Sequence, residues 1–242
     1  MRMLLAVKDL HACYGTSHVL QGISLGVEEG EIVGLLGRNG MGKSTTLKAI
    51  MGLVKPRSGS VMVKGRDVTG YPPHRVARAG IGYVPEERRI FPHLTVLDNL
   101  RMGIKAPGMS VAGNQNGWDL ERIFSHFPML RERMHHQGSH LSVGEQQMLA
   151  IGRTLMGNPE LLLVDEPTEG LAPLMAKEVW NILTEINRSG VSILLVERNL
   201  KVATSLATRV YVMGKGHIGF AGTVDELKAH PKIQEKYLEV GS

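Results

Sequence analysis

The segment Gly37-Arg38-Asn39-Gly40-Met41-Gly42-Lys43-Ser44-Thr45 constrains this chain more than any other stretch. It has the spacing G-x-x-x-x-G-K-[ST], follows the compact apolar run Glu31 to Leu36, and precedes Lys43 to Leu53, whose composition suits a helix ending near Gly52. Strand, glycine-rich loop and helix in that order form a cradle for phosphate. Glycines let the backbone bend until successive N–H groups face phosphate oxygens, and the helix N-terminus adds its positive end. In such a cradle Lys43 reaches the β and γ phosphates of a nucleotide, Ser44 is placed to ligate Mg²⁺, and Thr45 donates to a further phosphate oxygen. The competing reading is a chance match on a chain with 29 glycines, and the strand and helix flanks weigh against it.

A second apolar run, Leu161 to Val164, ends in the carboxylates Asp165 and Glu166. Asp165 is expected to hold Mg²⁺ through water. Glu166, one residue on and displaced around the strand end, is placed to polarise an attacking water as a general base. Alone, an Asp-Glu pair reads as an exposed acidic turn; beside the phosphate loop it completes a nucleotide-hydrolysing pair.

The remaining pattern sets these motifs in an α/β chain. Leu4 to Ile32 reads as antiparallel strands and turns, and Ser60 to Val63 and Ile81 to Val84 as further strands. Thr95 caps a helix to Met102, Pro107 to Gly117 reads as a surface loop, and Asp119 to Arg133 and Glu145 to Met156 read as helices. Pro173 to Arg188 is a helix stopped by Gly190, and Val191 to Glu197 is a buried strand. Arg209 to Met213 and His217 to Ala221 suggest a hairpin, and Thr223-x-x-Glu226 is a capping box that opens a last helix. The alternation implies βαβ units and a parallel sheet.

Leu141-Ser142-Val143-Gly144-Glu145-Gln146-Gln147, continued by Met148 to Arg153, resembles the signature segment of ABC ATPases and precedes the acidic strand as it does there. Ser142-x-x-Glu145 is also an ordinary helix-capping box, and the two readings are compatible. The resemblance covers nearly the whole chain. It implies a P-loop NTPase of the ABC nucleotide-binding type, with an N-terminal antiparallel β subdomain, a mainly parallel core sheet and an α-helical subdomain. All 242 residues would form a single ABC ATPase domain: about 1–90 and 157–242 as core and β subdomain, about 91–156 as the helical subdomain with the signature. By the same likeness Tyr14 matches the aromatic on which adenine stacks, although a lone Tyr there otherwise reads as core or edge packing. Ser142, Gly144 and Glu145 open a helix that offers N–H groups and a hydroxyl to the ATP of a partner subunit, so ATP joins a homodimer or a heterodimer of paralogues.

Ile81 to Glu86 with Arg88 to Pro92, and Glu166 to Pro173, look like the Q-loop and D-loop of the LivF-like branched-chain amino acid importers. That implies membrane permease subunits as partners, a periplasmic solute-binding protein acting indirectly, and a cytoplasmic position on the inner face of the membrane. Urea and short-amide importers have very similar ATPase subunits, and a nucleotide-clamping regulatory module with little hydrolysis is the alternative class. Four positions depart from the wider family pattern. Glu86 stands where most ABC ATPases have Gln, as it does in LivF-like proteins, and is still able to touch Mg²⁺ or its water. Val143 replaces the first signature glycine. Glu169 sits where small or apolar residues are more familiar. Arg198 replaces a γ-phosphate-sensing His, often Gln in the LivF-like branch, and is expected to contact the γ-phosphate; a solvent-facing Arg is the bland alternative.

Bulk properties narrow the classes further. No apolar run approaches the roughly 18 to 20 residues of a membrane span, and the start lacks a secretory h-region. One cysteine, Cys13, makes no internal disulfide and no Cys-based metal site. The net charge of +5 suits polyanions, but Lys and Arg are scattered without aromatic interleaving, which argues against nucleic acid. His135, His136 and His140 lie in a polar segment and read as solvated surface rather than a metal site. Ile90 to Met102 would, in the resembled family, form the groove for a short helix of the membrane subunit, while Phe91 and Leu94 suit intradomain core equally.

Overall fold

The computed structural model describes residues 2–105 and 117–238, so the loop expected from Pro107 to Gly117 falls outside the described residues except for Gly117. In chain order the first half comprises β1 (Met3–Tyr14), β2 (Ser17–Glu28), β3 (Ile32–Leu36), α1 (Lys43–Ile50), β4 (Ser58–Val63), β5 (Arg66–Asp67), α2 (Pro73–Arg78), β6 (Ile81–Val84) and α3 (Val96–Arg101). There follow α4 (Leu120–His126), α5 (Pro128–Glu132), α6 (Val143–Leu155), β7 (Leu161–Asp165), α7 (Pro173–Arg188), β8 (Ser192–Glu197), α8 (Leu200–Leu206), β9 (Arg209–Gly214), β10 (His217–Thr223), α9 (Val224–Lys228) and α10 (Pro231–Tyr237).

Two sheets result. An antiparallel sheet runs β2-β1-β4-β5, and a mixed sheet runs β10-β9-β3-β8-β7-β6, parallel throughout except for the β9–β10 hairpin. Every residue of β3, β7 and β8 is buried, which is why these strands are apolar without alternation: a parallel sheet is covered on both faces. Neighbouring residues of one strand serve different cores. Val33, Leu35, Leu161, Leu163, Leu194 and Val196 pack with α1, α2 and the antiparallel sheet. Ile32, Leu36, Leu162, Val164, Ile193 and Leu195 pack with α3 to α9.

Parallel pairing brings the C-terminal ends of β3, β8 and β7 together, with Leu36 opposite Glu197 and Asp165 opposite Val196. The loops after those strands therefore share one crevice, the place where open α/β sheets bind ligands.

Several helices depart from the pattern-based reading. The helix expected over Asp119 to Arg133 breaks at Phe127 (φ −127°, ψ 67°), because Pro128 lacks an N–H and bars its predecessor from the α region. The capping box at Thr223 does open a helix, α9, but that helix stops before Pro231 and a separate α10 closes the described chain. Unforeseen α8 is capped by Asn199, whose side chain accepts from the N–H groups of Lys201 and Val202.

Candidate functional site

The phosphate-loop segment is shaped by three glycines with positive φ: Gly37 (150°), Gly40 (75°) and Gly42 (101°). At Gly37 a Cβ would stand 2.6 Å from the Met213 carbonyl oxygen, so only glycine fits the loop against β9. Helix α1 starts at Lys43, and among the described residues the N–H groups from Gly40 to Thr45 meet no protein acceptor. Unpaired donors at a helix start demand a partner. Asn39, Gly40, Gly42, Lys43, Ser44 and Thr45 line a cavity of about 370 Å³, with Val19, Glu86, Glu166 and Arg198 as its other walls. Gly37, Arg38 and Met41 line an adjoining hollow that shares Asn39 and Arg198.

Lys43 is 4 % exposed and uses its ammonium fully: Nζ donates to the carbonyls of Gly37 (2.8 Å) and Arg38 (3.1 Å) and pairs with Glu166 Oε1 at 3.3 Å. A buried cation needs such partners, and an entering phosphate competes for each of them.

The carboxylates gather at the strand ends. Asp165 accepts from Ser44 Oγ (2.9 Å) and from Tyr83 Oη (3.1 Å), and burial pushes its carboxyl above the ordinary range. Glu86 is likewise raised, by burial first and then by Glu166 and Asp165. Burial is thus the main cause that disfavours the ionised form of both carboxylates. Among the described residues no cluster of three or more His, Cys, Asp and Glu side chains encloses a metal by itself. The donors present, one hydroxyl and two carboxylates beside a phosphate cradle, fit Mg²⁺, which takes one or two carboxylates and completes its shell with water and substrate phosphate.

Glu166 adopts a left-handed conformation (φ 42°), uncommon for a glutamate, with its N–H bonded to the Val196 carbonyl (3.0 Å). Its carboxylate lies between two cations, Lys43 on Oε1 and Arg198 Nε on Oε2 at 2.7 Å. Arg198 Nη2 also pairs with the Glu169 carboxylate. Beneath it, buried Glu197 accepts from the N–H groups of Arg198 (2.8 Å) and Asn199 (3.1 Å) and from Thr168 Oγ1 (3.2 Å), tying the β8 loop to the β7 loop. Burial raises the Glu197 carboxyl as well.

The remaining expected residues are placed elsewhere. Tyr14 ends β1 half-exposed and does not line the cavity, whereas Val19 does. Ser142, Gly144 and Glu145 open α6 away from the cavity of their own chain. Glu145 accepts from the Ser142 N–H (2.7 Å) and pairs with Arg133 Nε (2.7 Å), so its carboxylate maintains the helix cap. The Ser142 side chain is exposed, and the N–H groups of Val143 and Gly144 have no protein acceptor among the described residues. His135, His136 and His140 are exposed. Tyr83, Thr168 and Glu197 escaped the sequence reading. Glu197 had a usable signal, a carboxylate closing an apolar strand as Asp165 does.

A second hollow of about 440 Å³ lies between the sheet and α6, walled by Leu53, Tyr83, Arg89, Phe91, Met102 and Arg153 among others. Phe91 and Met102 remain largely exposed there.

Comparison with known proteins gives a consistent neighbourhood. Residues 20–169 match the family described as ABC transporter. Over 97 % of the chain and 99 % of the relative, it is 40 % identical to the high-affinity branched-chain amino acid transport ATP-binding protein BraG of Pseudomonas aeruginosa. It is 34 % identical to the lipopolysaccharide export system ATP-binding protein LptB of Escherichia coli (97 % and 96 % covered) and 33 % identical to the probable branched-chain amino acid transport ATP-binding protein LivF of Archaeoglobus fulgidus (96 % and 97 %). Among solved structures, a nucleotide-free ATP-binding cassette from an ABC transporter aligns with a TM-score of 0.82 at 26 % identity, covering 99 % and 100 % of the two chains. A dimeric cassette in a post-hydrolysis state, bound to ADP and phosphate, aligns at 0.78 and 25 % identity (91 % and 99 %).

Proposed function

Proceeding from the family to which this chain belongs, the ATP-hydrolysing subunits of ABC transporters, we propose that it powers an importer of branched-chain amino acids. The observation that carries the catalytic reading is the Lys43–Glu166 pair across the phosphate-loop cavity. ATP phosphates take the N–H groups of Gly40 to Thr45 and draw Lys43 off Glu166. Glu166 then accepts a proton from the water whose oxygen bonds to the γ-phosphorus, as the bond to the ADP oxygen breaks. Ser44, Asp165 and Glu86 would hold Mg²⁺, which supplies charge neutralisation on the phosphates when bound. Arg198, at the cavity wall, faces the charge that develops during transfer.

A second subunit, identical or paralogous, supplies Ser142 and the first N–H groups of its α6, since these stand away from the cavity of their own chain. Among the described residues, those of about 91–156 act as a helical subdomain against a core drawn from about 1–90 and 157–242. The hollow beside Phe91 receives a segment of the membrane permease, which sets the subunit on the cytoplasmic face; among the described residues no helix is long and apolar enough to cross a membrane. A solute-binding protein acts through that permease, and nucleic acid plays no part. The choice of solute rests on likeness to BraG along almost the entire chain.

The test is reconstitution with the permease in vesicles, following phosphate release and leucine uptake together. Glu166→Gln is expected to slow hydrolysis by about 10²- to 10⁴-fold with ATP binding kept. Undiminished turnover would remove Glu166 from the role of base, and uptake of urea without leucine would move the assignment to short-amide import.

A further inference from the structure

Glu169, on the loop after β7, and Arg198, on the loop after β8, are brought together by the fold. The planar guanidinium presents a rigid fork of donors. Arg198 spends Nε on Glu166 Oε2 (2.7 Å) and Nη2 on Glu169, while among the described residues Nη1 meets no protein acceptor at a side chain that lines the nucleotide cavity. Glu166 is thereby left with one oxygen engaged by Arg198 and the other by Lys43.

Glu169 itself is firmly held. Its carbonyl accepts from Arg88 Nη2 (2.9 Å), its N–H donates to the Glu166 carbonyl (3.2 Å), and the carbonyls of Arg88 and Arg89 accept from Arg153 Nη2 on α6 (3.3 and 2.7 Å). The neighbouring Thr168 is bonded to Glu197, the residue that fixes the backbone N–H of Arg198. Both ends of the Glu169–Arg198 contact are therefore braced by backbone, and the contact sets where the guanidinium sits.

An arginine beside a single carboxylate tends to pair with it bidentately. With Glu169 absent, Glu166 is, among the described residues, the one carboxylate left within ion-pair distance of the Arg198 fork, which closes on both of its oxygens. We propose that Glu169 is a positioning residue for hydrolysis: by sharing Arg198 it confines the guanidinium to Glu166 Oε2, so that Oε1 becomes free to take a proton from water once the phosphates claim Lys43. The inference rests on reading Glu166 as the base.

A double-mutant cycle in the reconstituted transporter tests it. Wild type, Glu169→Gln, Arg198→Gln and the double variant are compared for kcat and for the KM of ATP, with binding of a fluorescent ATP analogue and thermal denaturation recorded for each. Glu169→Gln should lower kcat about tenfold or more with KM nearly unchanged, and should have almost no effect when Arg198 is already Gln, because no fork remains to collapse. An equal loss in both backgrounds, as a purely structural role for the loop would give, overturns the proposal; so does wild-type kcat in Glu169→Gln. Glu166→Gln run alongside separates the two levels. If that variant keeps its turnover the base assignment fails and this proposal falls with it, whereas a slowed Glu166→Gln beside wild-type kcat in Glu169→Gln overturns the positioning role alone.

Discussion

Replacing Asn99 by alanine should loosen the wall of the hollow proposed to receive the permease while leaving the nucleotide cavity untouched. Asn99 is fully buried in α3 and clips the preceding loop to the helix. Its Oδ1 accepts the Phe91 N–H (2.8 Å), and its Nδ2 reaches the carbonyls of Phe91 (2.9 Å), Thr95 (3.0 Å) and Leu94 (3.3 Å). The three carbonyls keep other donors in the variant, namely the N–H groups of Leu94, Gly138 and Asn99 itself. Only the Phe91 N–H is orphaned. An unsatisfied, partly buried donor costs roughly 1 to 2 kcal/mol, and the other lost bonds add a net contribution of roughly 0.5 to 1 kcal/mol each, limited by an amide with two hydrogens. The total is about 3 kcal/mol, which for a chain of this size lowers the melting temperature by about 6 to 12 °C. Urea unfolding should show a lower midpoint with an unchanged slope. Binding of ATP to the isolated subunit should persist, and stimulation of hydrolysis by the permease should fall. A loss of stability below about 0.5 kcal/mol would refute the idea that this side chain holds the loop.

Tyr83→Phe removes one of the two donors on Asp165, and the expected outcome is a Mg²⁺ requirement for hydrolysis raised about three- to tenfold, with stability changed by about 1 kcal/mol or less; an unaltered Mg²⁺ titration would count against Asp165 as its holder. Glu197, whose carboxyl burial raises in the folded chain, favours folding while protonated and loses that contribution as pH rises from the ordinary glutamate value through the raised one. Glu197→Gln should therefore gain stability relative to wild type as pH is taken from about 4.5 upwards through that window. A difference in urea midpoint that does not vary with pH would contradict this.

What the sequence reveals here divides by distance along the chain. The phosphate loop, the acidic strand end and the capping boxes at Ser142 and Thr223 are local devices, each complete within a few residues, and the structure forms them as the pattern implies. The Tyr83–Asp165 bond joins residues 82 positions apart and exists only because β6 and β7 pair in parallel register. The Arg198–Glu169 contact likewise needs β8 beside β7, so two unusual residues that looked unrelated in sequence become one arrangement. Pro128 was a readable stop that the apolar rhythm of Ile123, Phe124, Phe127 and Leu130 obscured, since all four are buried on either side of the break.

The central sheet also works as a bulkhead. Leu162 and Leu163 are joined by one peptide bond, yet each is moored in a different half of the molecule, the first among the helices and the second among the β-rich layers. Between the two cores stands the backbone of β7, paired with a strand on either side. A chain with this partition presents two separate cores to substitution, so that a change among the helices and one among the β-rich layers act on different packing.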